Sequence, residues 1–484
     1  MEVQKVLQSK KLGHMPIGKL LLKMSAPAML SMLVQSLYNI VDSIFVARLG
    51  ENALTALSLA FPMQLLLIAV AIGIGIGTSS LISRRLGEGK HEEASQAAQT
   101  GLFIAIIAGA LFFVIGIFIS KWFIGLFTND AQIIDMGFWY LAIVTVFCVG
   151  SFVEIFASRT LQAMGNMVLP MIAQLIGAIT NIILDPIMIF GLLGFPALGI
   201  KGAAIATVIG QCAAMAFSLI MIAVKKFDVQ IFFKHFRPQK KYIMEIAKVG
   251  LPTFALNAIG SVLSTGLNAI LITFSTTAVA VFGVYYKLQS FVFMPCFGLN
   301  QGLMPILGYN YGANNKQRFK KAYSLANIVV LCIMAIGTLL FMLIPKQLFQ
   351  LFSADANMLA IGIPALRIIS LCFIPAAFDV IMVAMFAAIG HGMKALWISL
   401  LRQIALLLPI AFIFGKYIGL NALWFAFPIS DIVTIAIFIP IAVKTVKDIF
   451  AAKNIMQPLS LELKTCEVNA IENAENTEYT DNKH

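Results

Sequence analysis

The chain has 484 residues, of which 60% are hydrophobic and only 12% charged, and its formal net charge is +12. A soluble domain is nearer about 45–50% apolar and about 25% charged, so a water-soluble core of this length is excluded. The positive residues sit in short loops between apolar runs, which marks membrane topology and not affinity for nucleic acid.

Apolar runs of about 20 residues, each able to cross about 30 Å of hydrocarbon, recur along the whole chain. Twelve spans are expected, near 24–46, 54–80, 96–119, 137–160, 169–191, 198–224, 249–272, 278–304, 323–344, 361–388, 395–415 and 420–443. The expected fold class is therefore an all-α polytopic membrane protein. No cleavable signal peptide is expected, because the first residues are basic and polar and the first apolar run lacks a small-residue cleavage site.

Span 1 carries Ser31, Gln35, Asn39 and Asp42 at spacings of 4, 4 and 3. On a helix these form one polar stripe, and lipid cannot satisfy it. Pro27 precedes the stripe within the membrane, and proline removes a backbone hydrogen bond and kinks a helix there. Span 2 contains GIGIG at 73–77. It lacks the spacing and strand context of a nucleotide fingerprint, and small residues inside a span permit close helix packing instead. Span 4 bears Glu154 and Arg159, read as a structural pair. Span 5 repeats the span 1 pattern with Gln174, Asn181 and Asp185, followed by Pro186. Thr207 and Gln211 lie one turn apart in span 6.

The second half has its own polar residues: Asn257 and Asn268 in span 7, Lys287 and Gln289 in span 8, Asp379 in span 10, Arg402 in span 11 and Asp431 in span 12. Lys287 can pair with an acid across the bundle, Asp379 being one option, and Asp379 can equally line a substrate path. The six cysteines form no C-x-x-C pair, so neither a disulfide framework nor a zinc site is indicated. The histidines show no H-E-x-x-H or triad-like setting, and no enzyme activity is expected. The polar tail beyond about residue 445 is expected to be disordered.

Loop charge alternates along the chain. The N-terminus and the loops after spans 2, 6 and 8 are basic, while the intervening loops hold little more than Arg48, Lys121, Lys201, Lys346 and Lys416. Basic loops face the cytoplasm, which puts both termini inside. A repeat runs through the chain at a fixed offset: Pro27 and Pro252, Gly87 and Gly312, Glu154 and Asp379, Gly165 and Gly390 are each 225 positions apart. Two six-span lobes follow, 1–224 and 246–444, joined by a basic cytoplasmic linker at 225–245 and ending in a tail at 445–484. With an even span count per half, the lobes are related by a pseudo-twofold axis along the membrane normal, and substrate binds between them.

Spans 1 and 5 both run outward, so Asp42 and Asp185 can meet at one depth. With the Asn181 amide they make a hard-oxygen site suited to Na⁺ or to a proton shared by two acids, with Thr207 adding an oxygen. The competing reading is that each acid only hydrogen-bonds a neighbouring helix. Gln35, Asn39, Gln174, Gln211, Asn257, Lys287, Gln289 and Asp379 are candidates for a substrate path.

MSAP ending at Pro27, ARLGENALTALSLAFP between spans 1 and 2, SRRLGEGKHEEA after span 2, TLQAMGNMVLP between spans 4 and 5 and its counterpart MFAAIGHGMKA resemble the multidrug and toxic compound extrusion (MATE) family over about residues 20–445. The major facilitator superfamily also has six plus six spans, but its loop after span 2 expects an acid that SRRLGEGK lacks. The resemblance implies a bacterial cytoplasmic-membrane antiporter, monomeric, exporting organic drugs, cationic or amphipathic, in exchange for Na⁺ or H⁺. It implies no cofactor besides that ion and no partner besides drug and bilayer. Asp42, Asn181 and Asp185 match the amino-lobe coupling site of one prokaryotic branch, with a bend at Pro27. Another branch's span 7 glutamate has no counterpart between Leu251 and Ser275, although Asp379 resembles that branch's span 10 acid. The alternatives are a lipid-linked oligosaccharide flippase of the same superfamily and a passive channel. No Walker motif points to ATP.

Overall fold

The computed structural model describes residues 7–225, 227–231, 238–352 and 355–451. Most of the expected tail and part of the expected linker lie outside the described residues. Helix α1 (Leu7–His14) precedes α2 (Ile17–Ala47). The first half continues with α3 (Glu51–Gly87), α4 (His91–Gly125), α5 (Ala131–Val146), α6 (Val149–Ala163), α7 (Val168–Phe190) and α8 (Ile200–Val224). The second half holds α9 (Lys240–Leu271), α10 (Thr276–Gly312), α11 (Lys316–Leu343), α12 (Pro345–Gln350), α13 (Ala356–Ser370) and α14 (Phe373–Ala388). It ends with α15 (Gly392–Tyr417) and α16 (Leu420–Ala451). No strand occurs among the described residues. Helices dominate because hydrocarbon offers no partner for a backbone N–H or C=O, and only a helix satisfies both within one segment.

Among the described residues ten helices are long and apolar enough to span a bilayer, and two bent pairs bring the total to as many as 12, in agreement with the twelve runs of the sequence. Two differences stand out. Helix α16 runs to Ala451, past the expected start of the tail. Spans 4 and 10, expected as single helices, are broken: α5 meets α6 at 47° and α13 meets α14 at 52°. The first break has no proline near it; after the second, Pro375 lacks the N–H that would bond the Leu371 carbonyl. At the first, Cys148 N–H turns back to the Thr145 carbonyl at 3.4 Å, and at the second Cys372 N–H reaches the Ile369 carbonyl at 2.9 Å. These three-residue bonds tighten the last turn of the preceding helix and end it. A hydroxyl assists each time. Thr145 Oγ1 donates to the Leu141 carbonyl at 2.6 Å, while Thr338 Oγ1 donates to the freed Ser370 carbonyl at 3.1 Å. Pro27, the expected kink, lies inside α2, which continues through it.

The 225-residue offset is visible in the backbone. Gly165 and Gly390 follow α6 and α14 with φ of 83° and 85°, the left-handed region that glycine enters without steric cost. Thr145 and Ser370, at the two breaks, stand at the same offset.

Packing crosses the repeat boundary. Helix α10 packs on α2 and α3, and α9 packs on α3. On the side of the basic loops the approach is closest. A Cβ on Gly87 would lie 2.0 Å from the Tyr309 carbonyl oxygen, and a Cβ on Gly312 would lie 2.1 Å from the Arg84 carbonyl oxygen. Arg84 and Tyr309 are themselves 225 positions apart, so the two contacts are reciprocal images. Ser80 Oγ, on α3, donates to the Ala387 carbonyl at 2.6 Å and so caps the end of α14 from the other half. Arg85 Nη2 binds Glu245 Oε1 of α9 at 2.9 Å, and Arg85 Nε lies 3.2 Å from Glu93 Oε2.

Segments that precede the first helix of each half are tied to the opposite half. Arg318 Nη2 donates to the carbonyls of Leu12 (3.1 Å) and Met15 (2.7 Å), at the end of α1. Asn310 Nδ2 donates to the same Leu12 carbonyl at 3.1 Å. Ahead of α9, Gln230 N–H donates to Ser95 Oγ at 3.0 Å, and Val229 and Ile231 are buried. The chain forms one compact unit through Ile435 and a second from Ala436 onward, the division falling within α16.

Because the Gly87 contact is backbone on backbone, Gly87→Val is expected to destabilise the fold by about 1–3 kcal/mol through overpacking. Gly125→Val, where an added Cβ meets nothing within 4 Å, is the control. Thermal unfolding of the purified protein in detergent, followed by size-exclusion of the survivors, reads the difference. Equal melting temperatures for the two variants would contradict the close packing of α3 on α10.

Candidate functional site

The site starts from a close helix pair. A Cβ on Gly210 of α8 would lie 2.7 Å from the Gly177 carbonyl oxygen of α7, so the two backbones nearly touch. That approach brings Asn181 and Asp185 of α7 against Thr207 of α8. All three are buried, and Asp185 is 0% exposed. The amide of Asn181 satisfies both neighbours in one orientation only, assigned from the hydrogen-bond network. There it donates to Asp185 Oδ2 at 2.8 Å and accepts from Thr207 N–H at 3.1 Å. The hydroxyl of Thr207 donates to the Ala203 carbonyl at 3.0 Å. Asn181 thus acts first as a donor to the acid, and its oxygen is already engaged.

Asp42 arrives from α2, which packs along α7. The two helices are also joined by a hydrogen bond from Gln174 Nε2 to Gln35 Oε1. The Asp42 carboxyl faces that of Asp185 within hydrogen-bonding reach. Asp42 Oδ1 is buried without a hydrogen-bond partner. Two negative charges this close, away from bulk water, repel strongly unless a proton or a cation sits between them. The donor set is two carboxylates with the Thr207 hydroxyl nearby, hard oxygens that fit Na⁺ or H⁺. Among the described residues no group of three or more His, Cys, Asp or Glu side chains is placed to hold a metal, so a multivalent metal centre has no support.

Asn181 and Thr207 also line a cavity of about 420 Å³. Neither Asp42 nor Asp185 is among its lining residues; Asp185 is held by Asn181, which is. The cavity is walled by α2, α3, α5, α6, α7 and α8, with Gln301 of α10 entering from the second half. Ser31, Gln35, Gln174 and Gln211, all on the sequence-derived stripes, face it. So do Gln64 and Gln162, which sequence reasoning missed together with Gln301. Each is one polar side chain among several on its helix, and nothing but its polarity marked it. These side chains satisfy one another. Ser151 Oγ donates to Gln211 Oε1, Gln64 Nε2 donates to the Tyr140 hydroxyl at 3.1 Å, and Gln162 Nε2 reaches Gln301 Oε1 at 3.5 Å. Apolar residues such as Met32, Leu67, Ile68 and Ile155 complete the wall.

The remaining candidates fall elsewhere. Glu154 and Arg159 line the cavity but form no ion pair within the 4.0 Å limit that defines the others, in contrast to the structural pair expected. Asn257 is exposed, and its amide donates to the Thr253 carbonyl of its own helix at 2.8 Å. Lys287 is exposed with its ammonium 5.9 Å from the Phe352 ring centroid. Gln289 is half-buried on α10, away from this wall. The backbone of Asn39 belongs to α2, but its side chain lies outside the described residues. Asp379 is buried with both carboxylate oxygens unpartnered. The cation nearest in effect is Arg402 and not Lys287. Arg402 Nη1 binds Asp431 Oδ1 at 3.3 Å from a π-helical stretch, Leu400–Leu407, inside α15.

Removing the Asn181 amide leaves a buried carboxylate without its donor. Asn181→Ala is expected to cost about 1–3 kcal/mol, seen as a lower melting temperature. Asn257→Ala, at an exposed amide, should change it little. Equal effects would mean that Asn181 does not support Asp185.

Comparison with known proteins agrees with this architecture. The MatE family profile matches residues 27–187 and 252–413, two segments whose starts are one repeat offset apart. A FAD transporter of Shewanella oneidensis is 29% identical over 425 residues, covering 86% of this chain and 92% of its own length. The multidrug export protein MepA of Staphylococcus haemolyticus is 26% identical over 420 residues, covering 86% and 91%. A solved outward-facing conformation of a multidrug resistance MATE family transporter of the MOP superfamily superimposes with a TM-score of 0.85 at 27% identity, covering 92% of this chain and 98% of that one. With its all-helical, multi-pass architecture and a paired match that spans more than half its length, the chain belongs to the MatE family and is a membrane transporter, not an enzyme.

Proposed function

We propose that the protein is a secondary active antiporter of the bacterial cytoplasmic membrane. It exports organic, cationic or amphipathic drugs in exchange for Na⁺ or H⁺. The observation that carries this reading is the facing pair Asp42 and Asp185, with a buried unpartnered oxygen, linked through Asn181 to an amide-lined cavity. The relatives named as multidrug exporters support the substrate class.

In this scheme both termini and the basic loops face the cytoplasm, and the two six-span halves act as lobes of a monomer. A cation entering from outside neutralises the two acids. It favours the conformation it binds more tightly, which is the only way a ligand shifts such an equilibrium. Asn181 and Thr207 touch both the acid site and the cavity, so a change at one is felt at the other. One charge crossing about 100 mV supplies about 2.3 kcal/mol, and a tenfold ion gradient about 1.4 kcal/mol more. Together these sustain a gradient of several hundredfold at one ion per cycle for a cargo of zero net charge, whereas a monocation exchanged for one ion moves no net charge and is left with the tenfold term.

A second reading, export of a flavin nucleotide, draws support from the relative named as a FAD transporter. The cavity favours it less. Arg159 is the one cation on its described wall, whereas a diphosphate is best held by several charge-assisted donors.

Proteoliposomes under separately imposed Na⁺ and pH gradients, with a fluorescent cationic dye and then FAD as cargo, test these readings. Gradient-driven dye transport is expected from the wild type, with at least a tenfold loss in Asp42→Asn and in Asp185→Asn. Undiminished transport by both variants at normal expression removes the acid pair from coupling. Transport of FAD but not dye would favour the second reading.

A further inference from the structure

We propose that the cavity is a receptor for zwitterions, with Glu154 taking the ligand's cationic end and Arg159 its anionic end. The inference rests on the transporter reading of the cavity and deepens it to a charge class.

Glu154 and Arg159 are the one acid and the one base on the described wall of the cavity. Both come from α6, five positions apart. At about 100° per residue this spacing turns them about 140° from each other on the helix, whereas pairs at three or four positions meet on one face. Nor do they pair here. Each is held by a neutral neighbour instead. Ser158 Oγ donates to Glu154 Oε1 at 2.7 Å, and Arg159 Nη1 donates to Gln162 Oε1 at 3.1 Å.

The arginine is seated, not loose. Its stem lies over Gly75 of α3, where an added Cβ would come 2.8 Å from Arg159 Cγ. The central glycine of GIGIG therefore makes room for this side chain. A guanidinium offers five N–H donors, and only Nη1 has a partner among the described residues. The other donors, and the second oxygen of Glu154, are left to whatever occupies the cavity.

Two charges held apart in a largely apolar chamber select by charge pattern. A monocation satisfies Glu154 and is repelled by Arg159; a monoanion has the reverse problem. A ligand with both charges meets both, and removing one partner of such a buried contact leaves the other charge unpaired. The glutamines on the same wall hydrogen-bond neutral parts of the ligand in either sense, because an amide both donates and accepts.

The test uses one dye scaffold in two charge states: rhodamine 110, a zwitterion, and rhodamine 123, its methyl ester and a monocation. Binding to the full-length protein in nanodiscs is read by fluorescence polarisation. The wild type is expected to hold rhodamine 110 about tenfold more tightly, a difference of about 1.4 kcal/mol. Arg159→Gln should abolish that preference by weakening rhodamine 110 while rhodamine 123, freed of the repulsion, binds as tightly or more so, Glu154→Gln should weaken both dyes, and Arg159→Lys should restore part of the preference. Equal binding of the two dyes by the wild type overturns the proposal. So does a preference that survives Arg159→Gln. If Arg159→Gln loses both dyes, Arg159→Lys decides: a returning preference supports the proposal and none refutes it. Charge selection without gradient-driven transport would leave this inference standing and sink ion coupling. Gradient-driven transport of both dyes without charge selection would do the opposite.

Discussion

A polar group in hydrocarbon must find its partner inside the protein. Water is not there to supply one, and a charge left alone costs several kcal/mol. Much of this structure answers to that constraint. The backbone is helical throughout the described spans, and where a helix breaks, as at Thr145 and Ser370, hydroxyls and short-range bonds take up the freed groups. Amides that face inward answer one another in pairs. Asp185 has Asn181, and Arg402 has Asp431. Against that background the exceptions carry the information. Among the described residues, Asp42 Oδ1 and both oxygens of Asp379 are buried acid oxygens without a hydrogen-bond partner, and Arg159 is hydrogen-bonded through Nη1 alone.

The two halves share their shape more than their chemistry. The reciprocal contacts of Gly87 and Gly312, the helix breaks and the left-handed glycines all recur at one offset. These features set how closely backbones approach, and a pseudo-symmetric bundle needs them twice. Of the charged groups, the acid of Glu154 recurs as Asp379, but others do not. The position equivalent to Asp42 is Leu267, and that equivalent to Arg85 is Asn310. Arg85 joins an ion network with Glu245, whereas Asn310 and Arg318 hold the end of α1 by its carbonyls. One half thus holds the acid pair and the cavity, while the other supplies Gln301 to its wall. The repeat thus shows in the backbone approach, while most of the polar side chains are particular to one half.

The separation of the acid pair from the cavity wall bears on transport. An ion between Asp42 and Asp185 need not displace a drug directly. Asn181 stands between, holding Asp185 on one side and facing the cavity on the other. Under the proposed antiport, neutralising the acids would change what that amide donates to, and ion and drug would compete through a side chain both sites share.

By itself the sequence determined what depends on local, one-dimensional pattern. Span number followed from runs of apolar residues, the repeat from landmarks at a constant offset, and the special status of Asp42 and Asp185 from the cost of an acid in an apolar helix. Helical spacing also placed Gln35 and Gln174 on inward stripes. Tertiary structure decided what depends on which atoms meet. The first break, at 147–148, has no proline near it; at the second, 371–372, Pro375 lacks the N–H that would bond the Leu371 carbonyl, and the tertiary bond from Thr338 to Ser370 accompanies it. Gln64, Gln162 and Gln301 became cavity residues only when three helices converged. Glu154 and Arg159 looked like a pair along the chain and proved to be two separate charges on one wall. The physical reason is the same throughout. Hydrophobic burial varies with a period that a linear sequence displays, whereas a hydrogen bond or an ion pair is set within a few ångströms by residues that may be hundreds of positions apart.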